Sequence, residues 1–511
     1  MANKQGFGDS ISLYMLILSS LNTILRQFLW QRKVKLINSQ LIEALGSLDK
    51  NEFREFGKFV NSPFFNNRSE VIRFFGAIKK FYPDFRANKI NDELIFKLVY
   101  PTKKFNPVLL RKLVSLLSNY LLDFFAISKF QSGRIEYNVK LVDCLRERKL
   151  NKLFEKKLRS VEDLFKTSTH TFGYYEYKFN LTTIKNGYYL HTNEGEMING
   201  FQKEIDDFSE YFLSVMLLLY VRLSEWSKAR SISFDLKFYN EVMQHMEKHD
   251  YSKVPLVNLY YNMLKLLETE EEKYFFELQK GRIKFEKFIS SADEYNIAIT
   301  MMQYCYKKVQ KGDSNFRRKQ FEVVNIVLDK NMIPPGNIEP YFFINSIRNA
   351  AIIKEFDWCC NFIEKYESRL NKDRLNETLY FSNALIAFYK SKYEDALKHI
   401  SAFNTERSTL KTEFRNIQLV IYYELNYNDE LLSLIDSYRH FLNRDKDIAE
   451  KTRELSLEFI RIVSKLLRYS QDEDVESAVL LKNEVLKYPY FNFKEWFLSK
   501  LQIIIDKKSR Q

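Results

Sequence analysis

The sequence predicts an all-α protein, an N-terminal helical bundle followed by an α-solenoid of stacked helix hairpins. Three observations predict it. Helix breakers are scarce, with 13 Gly and 9 Pro in 511 residues, while 44 Phe and 32 Tyr raise the aromatic share to 16%. Long helices packed through large rings have that composition. No run of alternating β-branched residues competes with helical periodicity. The third observation is internal repetition: the stretch from Tyr380 to Ile400 is echoed from Phe414 to Leu434, aligning Tyr393 with Tyr427, Asp395 with Asp429 and Leu397 with Leu431. A chain of 511 residues also exceeds the size at which a single core stops growing.

Charge is unevenly spread. The net charge is +13, and between Arg26 and Arg159 stand 28 basic residues against 13 acidic ones, which leaves about −2 for the rest. Such an excess attracts nucleic acid, anionic lipid or an acidic protein, and is equally the mark of a lysine-rich solvated helix surface. Cys144, Cys305, Cys359 and Cys360 contain no CxxC pair; free thiols in a reducing cytoplasm are the expectation.

Four regions follow in order: an extension over residues 1–35, a basic bundle over 36–133, irregular hairpins over 134–337, and repeats with capping helices over 338–511. Residues 11–25 are uncharged and mostly apolar ahead of Arg26 and the basic run 31–35, with Met15 as an alternative start. The run is shorter than a membrane span and carries Ser, Asn and Thr, so a peripheral extension is the first reading, with membrane contact and targeting as alternatives. Asp49 is the expected cap of a helix over 51–60, Ser69 of one over 70–82 stopped by Pro83, and Asn91 of one over 92–100. Asn106-Pro107 opens the next, proline costing nothing where no N–H partner exists. That helix is apolar almost all round (Leu109, Leu110, Leu113, Leu116, Leu117, Leu121, Leu122, Phe124, Phe125), which predicts a central helix buried on most sides.

Helix, proline-containing loop and second helix in this order resemble the helix-turn-helix half of winged-helix transcription regulators. The resemblance implies a DNA contact through Lys103, Lys104, Arg111 and Lys112, and it departs where a wing should follow, because the helix continues through Ala126.

Beyond Gly133 the expected helices cover 134–166, 172–192, 196–225, 235–249, 254–268, 271–289, 292–310 and 314–331, with a turn over 332–337. Three repeat-like hairpins follow. The first carries Phe356 and Cys359 in the places of Tyr393 and Ala396; segments 447–469, 473–487 and 491–507 then break the period, as terminal capping elements do.

The offset of about 34 residues, with Ala384 small, Tyr393 closing the turn, and Ala396 and Ile400 packing the second helix, resembles a tetratricopeptide repeat. The resemblance implies a concave groove lined by the first helix of each repeat. Carried over, the lining positions are Phe381, Leu385, Phe388 and Tyr389, then Arg415, Leu419, Tyr422 and Tyr423, with Ile344 and Arg348 from the irregular first repeat. The Lys/Asn set with which family members clamp a peptide carboxylate is missing, so the implied ligand is an apolar or aromatic segment of a partner protein.

Catalytic raw material is thin. His245 and His249 share a helix face, but no Glu follows the first and no third ligand is evident, so no metal is expected. Cys359 and Cys360 cannot both face one ion. No glycine loop for phosphate, no GxSxG elbow and no kinase or calcium signature is present. The expectation is therefore a cytoplasmic, non-enzymatic scaffold without cofactor; a nucleic-acid-binding regulator is the alternative.

Overall fold

The computed structural model describes residues 36, 39–85, 90–230, 232–333, 336–402, 410–445, 448–488 and 491–508. The apolar and basic extension over 1–35, and Pro334 and Pro335 of the expected turn, lie outside the described residues. Among the described residues the chain forms 23 α-helices and no strand, consistent with an all-α, solenoid-like fold. Two compact units are distinguished, one ending at Val161 and the other beginning at Glu162.

The first unit holds α1 (Gln40–Gly46), α2 (Lys50–Asn61), α3 (Ser69–Ile78), α4 (Asp92–Val99), α5 (Pro107–Ser132) and α6 (Arg134–Glu147); α7 (Asn151–Thr167) spans the boundary. Local chemistry sets the starts. Asp49 accepts from the backbone of Asn51 and Glu52 at 2.7 and 2.9 Å, and Glu52 reaches back to Asp49 N to complete a capping box. Asn91 and Asn106 cap α4 and α5 as expected. Ser69 does not cap α3. It is already helical, Arg68 occupies the cap position, and buried Asn66 fixes the approach by bonding Val60 O and Arg68 N.

The central helix also departs from expectation. Leu110, Leu113, Leu117, Leu121 and Phe124 form one buried stripe, whereas Leu109, Leu116 and Phe125 are half-buried and Leu122 is 62% exposed. The reason is coverage: α1, α2 and α3 pack on one side of α5, where Phe56 meets Phe124 and Phe75 with ring centroids 5.4 and 5.3 Å away. By length and composition alone, α5 is the one helix among the described residues apolar enough to cross a membrane. The single helix expected over 134–166 is two, because Lys149 adopts a left-handed conformation (φ 58°) and the N–H groups of Lys149 and Leu150 close a Schellman cap on Arg146 and Leu145.

The second unit opens with α8 (Phe172–Tyr189) and α9 (Glu194–Arg230). Lys178 holds the pair together through Asp207 at 2.9 Å and Glu210 at 2.6 Å, and the Thr182 hydroxyl donates to Asp207. At Gly200 an added Cβ would lie 1.9 Å from Asn186 Oδ1, so any side chain there would push Asn186 away from its bond to Glu204. Then come α10 (Tyr239–Lys248), α11 (Pro255–Thr269), α12 (Glu272–Lys284), α13 (Ser291–Gln310), α14 (Asn315–Asp329), α15 (Pro340–Ile352), α16 (Phe356–Tyr366), α17 (Leu375–Tyr389), α18 (Tyr393–Ser401), α19 (Lys411–Glu424), α20 (Asn428–Arg444), α21 (Glu450–Gln471), α22 (Val475–Lys487) and α23 (Lys494–Lys508).

One turn recurs through five successive hairpins, from α13/α14 to α21/α22. Gly312, Lys354, Ser391, Asn426 and Glu473 all have φ between 51° and 102°. In each the following N–H bonds the carbonyl five residues back, as in Lys392 N to Ala387 O at 2.9 Å and Tyr427 N to Tyr422 O at 3.0 Å. This Schellman geometry reverses the chain in a fixed way and so stacks the hairpins. Only one of the five is glycine, and a side chain in the left-handed region costs about 1–2 kcal/mol. Exposed Lys354 should therefore gain about 1 kcal/mol on conversion to Gly. Thermal unfolding of Lys354→Gly is expected to shift upward by a few degrees, and a downward shift would show that the turn is built differently.

Candidate functional site

In α17, Glu377, Thr378, Phe381, Ser382 and residues 384–388 are all buried, because α15, α16, α18 and α19 surround it. This corrects the groove expected from the sequence. Phe381, Leu385, Phe388 and Leu419 sit in the core, with Phe381 and Phe414 in edge contact at 5.0 Å between α17 and α19. Ile344 is buried with them. Only Arg348, Tyr389, Arg415, Tyr422 and Tyr423 keep partial exposure.

These five do not form one patch. The Arg415 guanidinium lies 4.4 Å from the Phe441 ring centre of α20, and it lines an open cleft of about 650 Å³ with Lys411, His440, Arg444 and Asp445. Arg348 rests 5.9 Å from the Phe381 ring, and the Tyr422 hydroxyl accepts from Gln418 at 2.9 Å. Tyr389 packs on the core beside Phe388, their rings edge-on at 5.1 Å, and Tyr423 faces the end of the same chain.

Residues 491–500 run across the ends of several hairpins. Phe493 meets Phe388 edge-on at 5.6 Å, and Trp496 meets Tyr423 edge-on at 5.3 Å. The Trp496 indole N–H and Lys500 Nζ both donate to Glu424, at 2.5 and 2.7 Å. Arg317 at the start of α14 pairs with Glu495 at 2.7 Å. Buried Lys494 donates to three carbonyls, Gln310 O, Leu486 O and Tyr488 O at 2.9, 3.1 and 2.7 Å, and its burial lowers the ammonium pKa. Phe491 and Phe497 pack on Phe459 of α21 at 5.6 and 5.3 Å. Tyr389, half-buried beside Phe388, has its phenol pushed up to about 12 by burial.

Sequence reasoning missed this strap because it read 491–507 as a polar-faced cap. The signal was present: Phe491, Phe493, Trp496 and Phe497 fall within seven positions, an aromatic density suited to burial and not to a solvated end.

In the first unit Lys103, Lys104, Arg111 and Lys112 are all exposed, Lys103 and Lys104 on the loop before α5 and the other two in its second turn, Lys103 lying over the Tyr100 ring at 4.7 Å. The His245 and His249 rings stack at 4.3 Å, and His245 Nε2 bonds Tyr251 Oη at 2.8 Å. Among the described residues no group of three or more His, Cys, Asp or Glu is placed to hold a metal ion. Cys359 is buried against Ile347 O with its thiol pushed up to about 12, while Cys360 points to solvent.

Fold and face together define an all-helical, solenoid-like chain of packed helix pairs. Comparison with protein-family models, curated proteins and solved structures finds no match.

Proposed function

We propose that the chain is a tetratricopeptide-like interaction scaffold that takes an aromatic, helical segment of a partner protein on the face now covered by residues 491–500, and that the partner displaces this strap. The reading assigns no catalytic step and no cofactor. The observation that carries it is the strap itself: the hairpin ends accept an aromatic helix through edge-on ring contacts and paired charges, chemistry that a foreign helix of like composition would satisfy. Tyr, Trp and Arg, prominent in this contact, are the side chains that dominate interface energetics.

The test is affinity capture from the native lysate with three forms: the full chain, a chain ending at Tyr488, and that shorter chain with Tyr423→Ala. Shortening should raise capture of the same partner roughly tenfold, since removal of a competing segment raises the population of the open face. Tyr423→Ala in the shortened chain should return it to background. Equal capture by all three forms would place the partner elsewhere.

A second reading rests on the four exposed cations beside α5. If they contact a nucleic-acid backbone, duplex affinity of the full chain must fall steeply with salt and weaken in Arg111→Ala and Lys112→Ala. Absence of duplex binding at low ionic strength removes it.

A further inference from the structure

The longest helix carries an unclosed seam. Over the 37 residues of α9, Ile198, Phe201, Ile205, Phe208, Leu219 and Trp226 fall on the a and d positions of a heptad, with Phe212 and Val215 between Phe208 and Leu219 and Arg222 taking the one polar position, between Leu219 and Trp226. The six apolar ones first named are between 41% and 62% exposed, Phe208 keeping 47% although its ring also meets Phe179 of α8 at 5.3 Å. The opposite side of α9 is the buried one: Leu213, Leu217, Tyr220 and Val221 are inside, and Asp207 bonds α8. A helix that buries one face needs no second apolar stripe, and four heptads held in register are the pattern of a helix that pairs with another.

We infer that a second copy of this chain closes the seam, α9 pairing with α9 antiparallel about a two-fold axis near Glu210. Charge selects the orientation. The half of α9 from Glu194 to Glu210 contains six carboxylates and one lysine, and with Asp207 and Glu210 held by Lys178 of α8 it still carries Glu194, Glu196, Glu204 and Asp206, whereas Arg222 and Arg230 outnumber Glu225 in the other half. Parallel pairing sets acid against acid. Antiparallel pairing brings Arg222 of one copy beside the Glu194 and Glu196 end of the other and also opposes the two helix dipoles. The register follows from the apolar steps: Phe208 faces Phe212, Ile205 faces Val215 and Phe201 faces Leu219, which leaves Arg222 across from Ile198. An isologous contact repeats each of these pairs.

Six large apolar side chains, each 41% to 62% exposed, lie in one row, an apolar patch of the kind a monomer seldom keeps without a use. A straight helix drifts by ~20° per heptad from a 3.5-residue repeat, which two helices crossing at a shallow left-handed angle absorb. The seam is separate from the strap, so neither reading depends on the other.

Sedimentation equilibrium of the full chain decides it. The wild type is expected at twice the 61.4 kDa chain mass at low micromolar concentration. Ile205→Glu, placed at the most exposed seam position, should weaken association by roughly 100-fold or more, because the symmetry counts each lost contact twice. Its helical circular dichroism should match wild type; if that variant unfolds, Trp226→Arg provides the same reading. Arg222→Glu should weaken the dimer, and adding Glu194→Arg and Glu196→Arg should restore it. A wild type that stays monomeric at tens of micromolar, or a dimer indifferent to Ile205→Glu and Trp226→Arg, overturns the inference. Failure of the charge reversal to rescue overturns the antiparallel arrangement.

Discussion

Ala396→Asp should destabilise the second unit by on the order of 3–5 kcal/mol, the cost of an unpaired charge placed between packed helices. Ala396 has no exposed surface and lies in the cluster of Phe388, Leu431 and Ile400. A carboxylate there finds no cation, since Lys392 and Lys398 are solvent-exposed on other sides of α18 and Lys398 already pairs with Asp395. The control is Lys398→Asp. It breaks only that surface pair, which is worth a few tenths of a kcal/mol. Urea unfolding of the two variants should separate them widely; equal midpoints would show that α18 turns a different face to the core.

The second large effect is expected at the strap. Phe497 is fully buried among Phe459, Phe491 and Trp496. Truncation of such a ring to Ala costs about 3–5 kcal/mol in cavity and lost burial. Because α23 is the last element of the second unit, its loss need not unfold the hairpins before it. In Phe497→Ala, hydrogen exchange should accelerate over residues 491–505 and over the adjoining Tyr389 and Tyr423 segments, while α8, α9 and α11 keep their protection. Uniform acceleration across the unit would mean that the strap is inseparable from the hairpin core and cannot act as a displaceable segment.

Helices were legible in the sequence because their signals are local. Asp49, Asn91 and Asn106 announce starts through their own side chains, and the spacing of Tyr393 and Tyr427 announces two equivalent hairpins. Turns were less legible. Lys149, Lys354, Ser391, Asn426 and Glu473 hold a conformation usually assigned to glycine, so the recurring reversal has no residue signature. Burial around a helix was least legible. The composition of α5 suggests burial on most sides and the tetratricopeptide resemblance implies an open inner face for α17, yet the first is covered on one side and the second is enclosed. Which side is covered depends on neighbours far away in the sequence, as with Lys494 on Gln310, 184 residues off, and Glu495 on Arg317, 178 residues off. Period and propensity carry no record of such pairings. The aromatic run from Phe491 to Phe497 does carry one, because a chain end intended for solvent has no use for four large rings.

The claim that a partner must displace the strap is tested most directly by fixing the strap in place. Arg317→Cys and Glu495→Cys are introduced together with Cys144→Ser and Cys360→Ser; buried Cys305 and Cys359, their thiols pushed up to about 12, stay unreactive. Two long side chains that meet at their tips hold their backbones too far apart for a direct disulfide, so a reducible bis-maleimide is used. Capture of partner from lysate is then measured before and after cleavage of the bridge. The account predicts background capture by the bridged chain and full recovery on reduction. Equal capture in both states, with the 317–495 bridge verified by peptide mass, would contradict it.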